Sequence, residues 1–255
     1  MALFDISLRG GGAIGRMSQF QAIVPEGKVG PFPVLYLLHG LSDDHTAWPR
    51  RTSIERYVDD LPLIVVCPNA HRSWYTNAAG KPSEDFETYI VRDLVDFVDA
   101  TFPTVKSRSG RATAGLSMGG YGALKLALKH PEMFCAAHSF SGAVDMASRS
   151  LEEESPWTLE LRLIFGDKIA GGPEDLFHLA KTADAATRPA LSFDCGRSDF
   201  LIEDNRRFHA HLESLKIPHQ YTEHEGDHNW QYWDTHIQEA LPWLASHLGI
   251  LPAAN

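Results

Sequence analysis

Short, wholly apolar runs alternate along this chain with longer stretches of helical spacing, and few architectures accept that alternation. Residues 33–38 (PVLYLL) and 61–67 (LPLIVVC) are apolar at nearly every position and stop abruptly at His39-Gly40 and Pro68-Asn69. A strand with one face in water alternates polar and apolar residues, whereas one apolar on both faces belongs inside a parallel sheet covered by helices. Residues 86–102 set apolar side chains at 86, 90, 94, 97 and 98, a helical period that Pro103 ends. The same reading predicts strands at 111–115, 136–140, 189–195 and 219–223, and helices at 119–129, 201–215 and 230–248. The expected fold class is α/β, a mostly parallel central sheet flanked by helices.

Residues 145–187 break the alternation. They hold Glu152-Glu153-Glu154, Pro156 and Gly171-Gly172-Pro173, and read as a small helical cap inserted into a single domain spanning 1–255. A chain of this length buries roughly three quarters of its unfolded surface, so its core needs neither metal nor disulfide. Cys67, Cys135 and Cys195 are odd in number and widely spaced, which suits three core thiols better than a disulfide framework or a zinc pair. A net charge of −10 disfavours nucleic acid and anionic lipid as partners. No apolar run approaches the roughly 20 residues of a membrane span, and residues 1–10 lack a secretory pattern. A cytoplasmic protein is the expectation, with homo-oligomerisation left open.

Chemistry enters at Gly115-Leu116-Ser117-Met118-Gly119, a G-x-S-x-G pentapeptide between a predicted strand and a predicted helix. That context is what a nucleophile elbow requires: the serine is held in a strained turn, and small residues two before and two after it let strand and helix approach. A serine hydroxyl needs a base, and the base needs an orienting carboxylate, in the chain order Ser, Asp or Glu, His. His228, in the loop before the closing helix, is the best base; His224 sits at the strand end instead. Asp199 lies just past an apolar strand and ahead of a helix, while Asp194 falls inside the strand and Asp204 inside the helix. The competing reading of Asp199 is a helix N-cap. An oxyanion hole would use the backbone N–H of Met118, next to the serine, and that of Leu41, which Gly40 presents after an early strand. His39 then reads as structural.

The ordered segments LLHGLSDDHTAW (37–48), SWYTN (73–77), AGLSMGGYGALKLAL (114–128), SFSGA (139–143), CGRSDFLIEDN (195–205) and GDHNWQYW (226–233) resemble the esterase D type of α/β-hydrolase. The likeness is greatest to small tributyrin-type carboxylesterases and runs from about residue 17 to about 247. It implies an α/β-hydrolase fold, a Ser117–Asp199–His228 triad, Leu41 and Met118 amides as the oxyanion hole, and hydrolysis of esters with short acyl groups, acetyl to butyryl. The same broad family includes S-formylglutathione hydrolases, feruloyl and acetylxylan esterases, and mycolyltransferases that pass the acyl group to a sugar. The formylglutathione enzymes typically carry a Cys just after the oxyanion loop, where this chain has Ser42-Asp43. Trp48, Trp74, Tyr75, Trp157 and Trp230 are the candidate pocket residues.

Two further patterns lack the context their chemistry needs. Gly10-Gly11-Gly12-Ala13-Ile14-Gly15 matches G-x-G-x-x-G, but the next residues, 16–24, read as a strand, so a glycine turn between edge strands is expected rather than a dinucleotide site. His224-Glu225-Gly226-Asp227-His228 matches H-E-x-x-H, a zinc motif only when both histidines share a helix, and Gly226 argues against one. Neither metal nor organic cofactor is expected.

Overall fold

The computed structural model describes residues 1–9 and 11–250. One eight-stranded sheet organises them, in the order β1-β2-β4-β3-β5-β6-β7-β8. The strands are β1 (Ala2–Arg9), β2 (Met17–Val24), β3 (Val34–Leu38), β4 (Ile64–Pro68), β5 (Arg111–Leu116), β6 (Ala136–Phe140), β7 (Ala190–Gly196) and β8 (His219–His224). β1 pairs with β2, and β2 with β4, antiparallel, while every other pair is parallel. The expected mostly parallel sheet is present, with each sequence-derived strand within three residues of its observed bounds.

The apolar runs explain the layering. Successive side chains of a strand point to opposite faces. Val34, Tyr36 and Leu38 of β3 therefore enter one hydrophobic cluster, together with Ile64 and Val66 of β4. Leu35 and Leu37 enter the other, with Val65 and Cys67. The Met118–Lys129 helix covers the first face, beside a composite helix that runs Phe86–Thr88, a π-helical turn Tyr89–Leu94, and Val95–Thr101. The closing helix, Trp230–His247, lays Trp233, Ile237, Leu241 and Leu244 on the second face.

Between β6 and β7 the chain forms a 3-10 turn, Met146–Ser148, and two short helices, Pro156–Phe165 and Leu176–Thr182. Ser155 opens the first with a reciprocal capping box that includes Thr158. A charged cluster fastens this segment to the sheet's first face. The Lys125 ammonium, fully buried on the Met118–Lys129 helix, shares its three N–H groups among four oxygens: the Tyr75 carbonyl (2.7 Å), Thr76 Oγ1 (2.8 Å), Glu87 Oε2 (3.0 Å) and Glu174 Oε2 (2.7 Å). Lys129 donates to both glutamates as well. Burial alone would raise the Glu87 carboxyl, but Lys125, His130 and Lys129 hold it well below the usual carboxylate range.

Two local expectations need correction. The glycine-rich stretch after β1 is more than a turn: Gly11–Ile14 winds one helical turn whose Ala13 and Ile14 are buried, because those two apolar residues find the first core cluster. Cys67 and Cys195 are buried as expected, but Cys135 is only half-buried; it precedes β6 at the sheet's rim, with Sγ 3.3 Å from the Arg111 carbonyl.

Candidate active site

Ser117 sits between β5 and the Met118–Lys129 helix with φ +53° and ψ −116°, a conformation that costs a side-chain-bearing residue about 1–3 kcal/mol. Neighbouring backbone holds it there. Its N–H donates to the Phe140 carbonyl (2.9 Å), and its carbonyl accepts from Ala143 and Tyr121 (3.1 Å each). The two flanking glycines are sterically required: a Cβ at Gly115 would overlap the Gly119 carbonyl, and one at Gly119 would overlap the Leu38 carbonyl.

Asp199 follows β7 and is 2% exposed. Its Oδ1 accepts from the Leu201 N–H (2.8 Å) and its Oδ2 faces His228 Nδ1 at 2.8 Å. The helix that follows runs Ile202–Ser214 with Leu201 at its N-cap and no side-chain cap, so the N-cap reading of Asp199 fails and the Leu201 contact is a turn within the loop. Burial pushes the Asp199 carboxyl up, but the His228 hydrogen bond and charge, together with the Leu201 amide, hold it below the ordinary aspartate value. The loop carrying Asp199 hangs from the loop carrying His228, since Arg197 N–H donates to the His224 carbonyl (2.8 Å) and Ser198 N–H to the Gly226 carbonyl (3.0 Å). Asp194 is engaged elsewhere, with His138 Nε2 (2.8 Å) and the Tyr232 hydroxyl (2.7 Å). Asp204 pairs with Arg207 at 2.7 Å.

The loop after β3 is fixed through its carbonyls. Buried His39 accepts from the Ala70 N–H at Nε2 (3.0 Å), which leaves Nδ1 protonated and donating to the Gly40 carbonyl (2.7 Å). The Tyr75 hydroxyl donates to the His39 carbonyl (2.9 Å). Burial lowers the His39 imidazole to about 4, so it is a neutral strut. Leu41 follows directly. Among the described residues, neither the Leu41 nor the Met118 N–H is paired with a protein acceptor.

Ser117, His228 and Leu41 line one open cavity of about 570 Å³, with Gly40, Ser42, Asp43, Arg51, Leu116, Phe200, Asn229, Trp230 and Trp233. Of the five aromatic candidates only Trp230 lines it. Trp48 lies beneath, fully buried, its ring 5.4 Å from Trp230 and its Nε1 donating to the Leu38 carbonyl. Trp74 and Tyr75 are core residues, pulled inward as the 73–76 loop closes over Lys125. Trp157 is 39% exposed and packs on Trp74, away from this cavity. The sequence reading missed Phe200 and Trp233, whose rings stand 4.6 and 5.0 Å from His228. Both carried a signal: Phe200 adjoins Asp199, and Trp233 lies one helical turn beyond Trp230. A second cavity of about 420 Å³ shares Leu41, Ser42 and Asp43 and extends past His71, Arg72 and Lys81.

The chain is similar to known proteins over most of its length. Residues 11–244 match the family model described as "Putative esterase". An acetyl esterase of Caldicellulosiruptor saccharolyticus is 29% identical over 220 residues, 83% of this chain and 82% of that protein. The substrate-bound fluorophosphonate-binding serine hydrolase F of Staphylococcus aureus superposes with a TM-score of 0.86 at 33% identity, covering 95% of this chain and 98% of that one. The S-formylglutathione hydrolase FrmB of the same organism superposes at 0.82 and 32%, covering 96% and 99%. The chain therefore belongs to this esterase family, of the esterase D type, and is a serine hydrolase with the α/β-hydrolase fold.

Proposed function

We propose that this esterase hydrolyses short-chain esters, acetyl to butyryl, with Ser117 as nucleophile, His228 as base and Asp199 as the group that orients it. The observation that carries this reading is the 2.8 Å Asp199–His228 contact beside a cavity that His228 shares with Ser117 and Leu41. Ser117 Oγ attacks the ester carbonyl carbon while His228 Nε2 takes its proton; Asp199 fixes the tautomer that leaves Nε2 free and stabilises the imidazolium. The Leu41 and Met118 amides donate to the oxygen that becomes negative, each such donor being worth about 10²–10³ in rate. Collapse of the tetrahedral intermediate breaks the bond to the alkoxy oxygen, which leaves as the alcohol with the proton from His228. Water then attacks the acyl-serine by the same route and releases the acid.

Phe200, Trp230 and Trp233 give the cavity one apolar wall, suited to a small acyl group, and the adjoining cavity, which mixes Arg72, Lys81 and Glu84 with Leu41 and Ile164, offers room for the leaving group. Turnover of p-nitrophenyl esters against chain length tests this. A maximum between C2 and C4 is expected, and a preference for C12 or longer would overturn it. The similarity to FrmB favours a second reading, a thioester such as S-formylglutathione as the substrate. Feruloyl or acetylated-carbohydrate esters, and transfer of the acyl group to an alcohol or sugar, call on the same residues. Turnover of S-formylglutathione, and product analysis with excess alcohol, separate these readings.

Among the described residues no helix is long and apolar enough to cross a membrane. The charge of −10 supports small-molecule esters over nucleic acid or anionic membranes as partners, and we take the cytoplasm as the place of action. We take residues 1–255 as one domain and 145–187 as its cap.

A further inference from the structure

His224, His236 and Glu239 meet outside the Ser117 cavity. His224 ends β8, while His236 and Glu239 lie three residues apart on one face of the Trp230–His247 helix. The zinc-like sequence motif fails in its own terms, because His224 ends a strand and His228 turns to Asp199. His224 has found different company.

His224 Nε2 and His236 Nδ1 lie 3.4 and 3.3 Å from the same carboxylate oxygen, Glu239 Oε2. One ligand atom from each of the three residues falls within 4.8 Å of the others. Zinc bonds of about 2.0–2.1 Å to N and O, set tetrahedrally, put neighbouring donors about 3.4 Å apart. A second observation is independent of that spacing. His236 is only 8% exposed, and its Nδ1 is buried with no hydrogen-bond partner, although Glu239 is close. A buried polar atom left in that state calls for an explanation, and an ion shared by the three donors supplies one, provided that the two imidazoles, stacked with ring centres 3.9 Å and planes 20° apart, rotate until both in-plane lone pairs meet it.

We propose that His224, His236 and Glu239 bind a zinc-type divalent transition-metal ion. Two imidazoles and one carboxylate suit such an ion, whereas magnesium prefers oxygen ligands throughout. The Glu239 and His224 side chains are 57% and 25% exposed, which leaves an entry path and room for water as the fourth ligand. The bound ion joins the end of β8 to the closing helix, on either side of the loop that bears His228. It takes no part in acyl transfer, so the site stands or falls apart from the ester reading.

Calorimetric titration of metal-free protein with Zn²⁺, with Mg²⁺ as the control, tests the proposal. One Zn²⁺ per chain is expected, with no Mg²⁺ binding and a rise in Tm on adding Zn²⁺. Both Glu239→Gln and His236→Ala should weaken Zn²⁺ at least about tenfold and abolish the Tm rise. Glu239 is exposed enough for its variant to fold even if His236→Ala does not. Co²⁺ in place of Zn²⁺ should give the intense visible absorption of a tetrahedral site. Absence of Zn²⁺ binding, Zn²⁺ affinity unchanged in Glu239→Gln, or the weak spectrum of octahedral Co²⁺ would each overturn it.

Discussion

His228 Nδ1 lies 2.8 Å from Asp199 Oδ2, and this contact spans two loops that are also tied main chain to main chain. In the proposed mechanism it keeps the proton on Nδ1 and the lone pair on Nε2. Asp199→Asn preserves the shape but can favour the wrong tautomer. A fall of about 10⁴ in kcat on p-nitrophenyl acetate is expected, with a fold close to wild type by circular dichroism. A near-normal kcat would remove Asp199 from the mechanism.

Acid should weaken the fold in two separable windows. A histidine held at about 4 in the folded state but near 6.5 when unfolded binds its proton only in the unfolded chain between those values. His39 therefore costs stability as the pH falls from about 6.5 to about 4, on the order of 3 kcal/mol at the lower end. Asp199 acts below that. Its folded value is depressed, so its contribution is full above the ordinary aspartate value of about 4 and is lost as the pH drops through the folded value. Urea denaturation at stepped pH should show both slopes, and His39→Gln should flatten the upper one alone.

The serine turn should tolerate no side chain at Gly119. Its Cβ would meet the Leu38 and His39 carbonyls, which are main chain and cannot swing aside. Gly119→Ala should cost about 1–3 kcal/mol by urea denaturation and lower kcat by displacing Ser117. Gly12→Ala is the control, since nothing stands within 4 Å of its Cβ, and should be nearly neutral. Equal effects at the two positions would contradict the steric account.

Lys125 is the buried hub between the helix after Ser117 and the 145–187 segment. Lys125→Met leaves Glu87 and Glu174, 7% and 14% exposed, without that buried cation. A loss of about 3–5 kcal/mol in chemical denaturation is expected. A change below about 1 kcal/mol, the usual worth of a surface pair, would show the cluster to be solvated.

How much of this was readable in the chain depended on whether the signal was periodic or punctuated. The inner strands were legible because burial on both faces admits only apolar residues, as in 33–38 and 61–67. The Ser117, Asp199 and His228 positions were legible because each follows a strand and meets a glycine or a loop. The pocket wall was not. Trp74 and Tyr75 lie in a loop, where no period tells an inward side chain from an outward one, and they take φ values of +55° and +54° that turn them into the core; Trp48 lies in a helix of only five residues, Ala47–Arg51, too short to show a period. Lys125 was missed for the opposite reason: a lone lysine in a helix of small residues reads as solvated, and only the fold brings Glu87 and Glu174 to it.

The central claim is that Ser117 is the nucleophile, and labelling with a fluorophosphonate followed by peptide mapping tests it most directly. The account predicts one label per chain, on the peptide containing Ser117, and none on folded Ser117→Ala. Labelling that survives the substitution would contradict it.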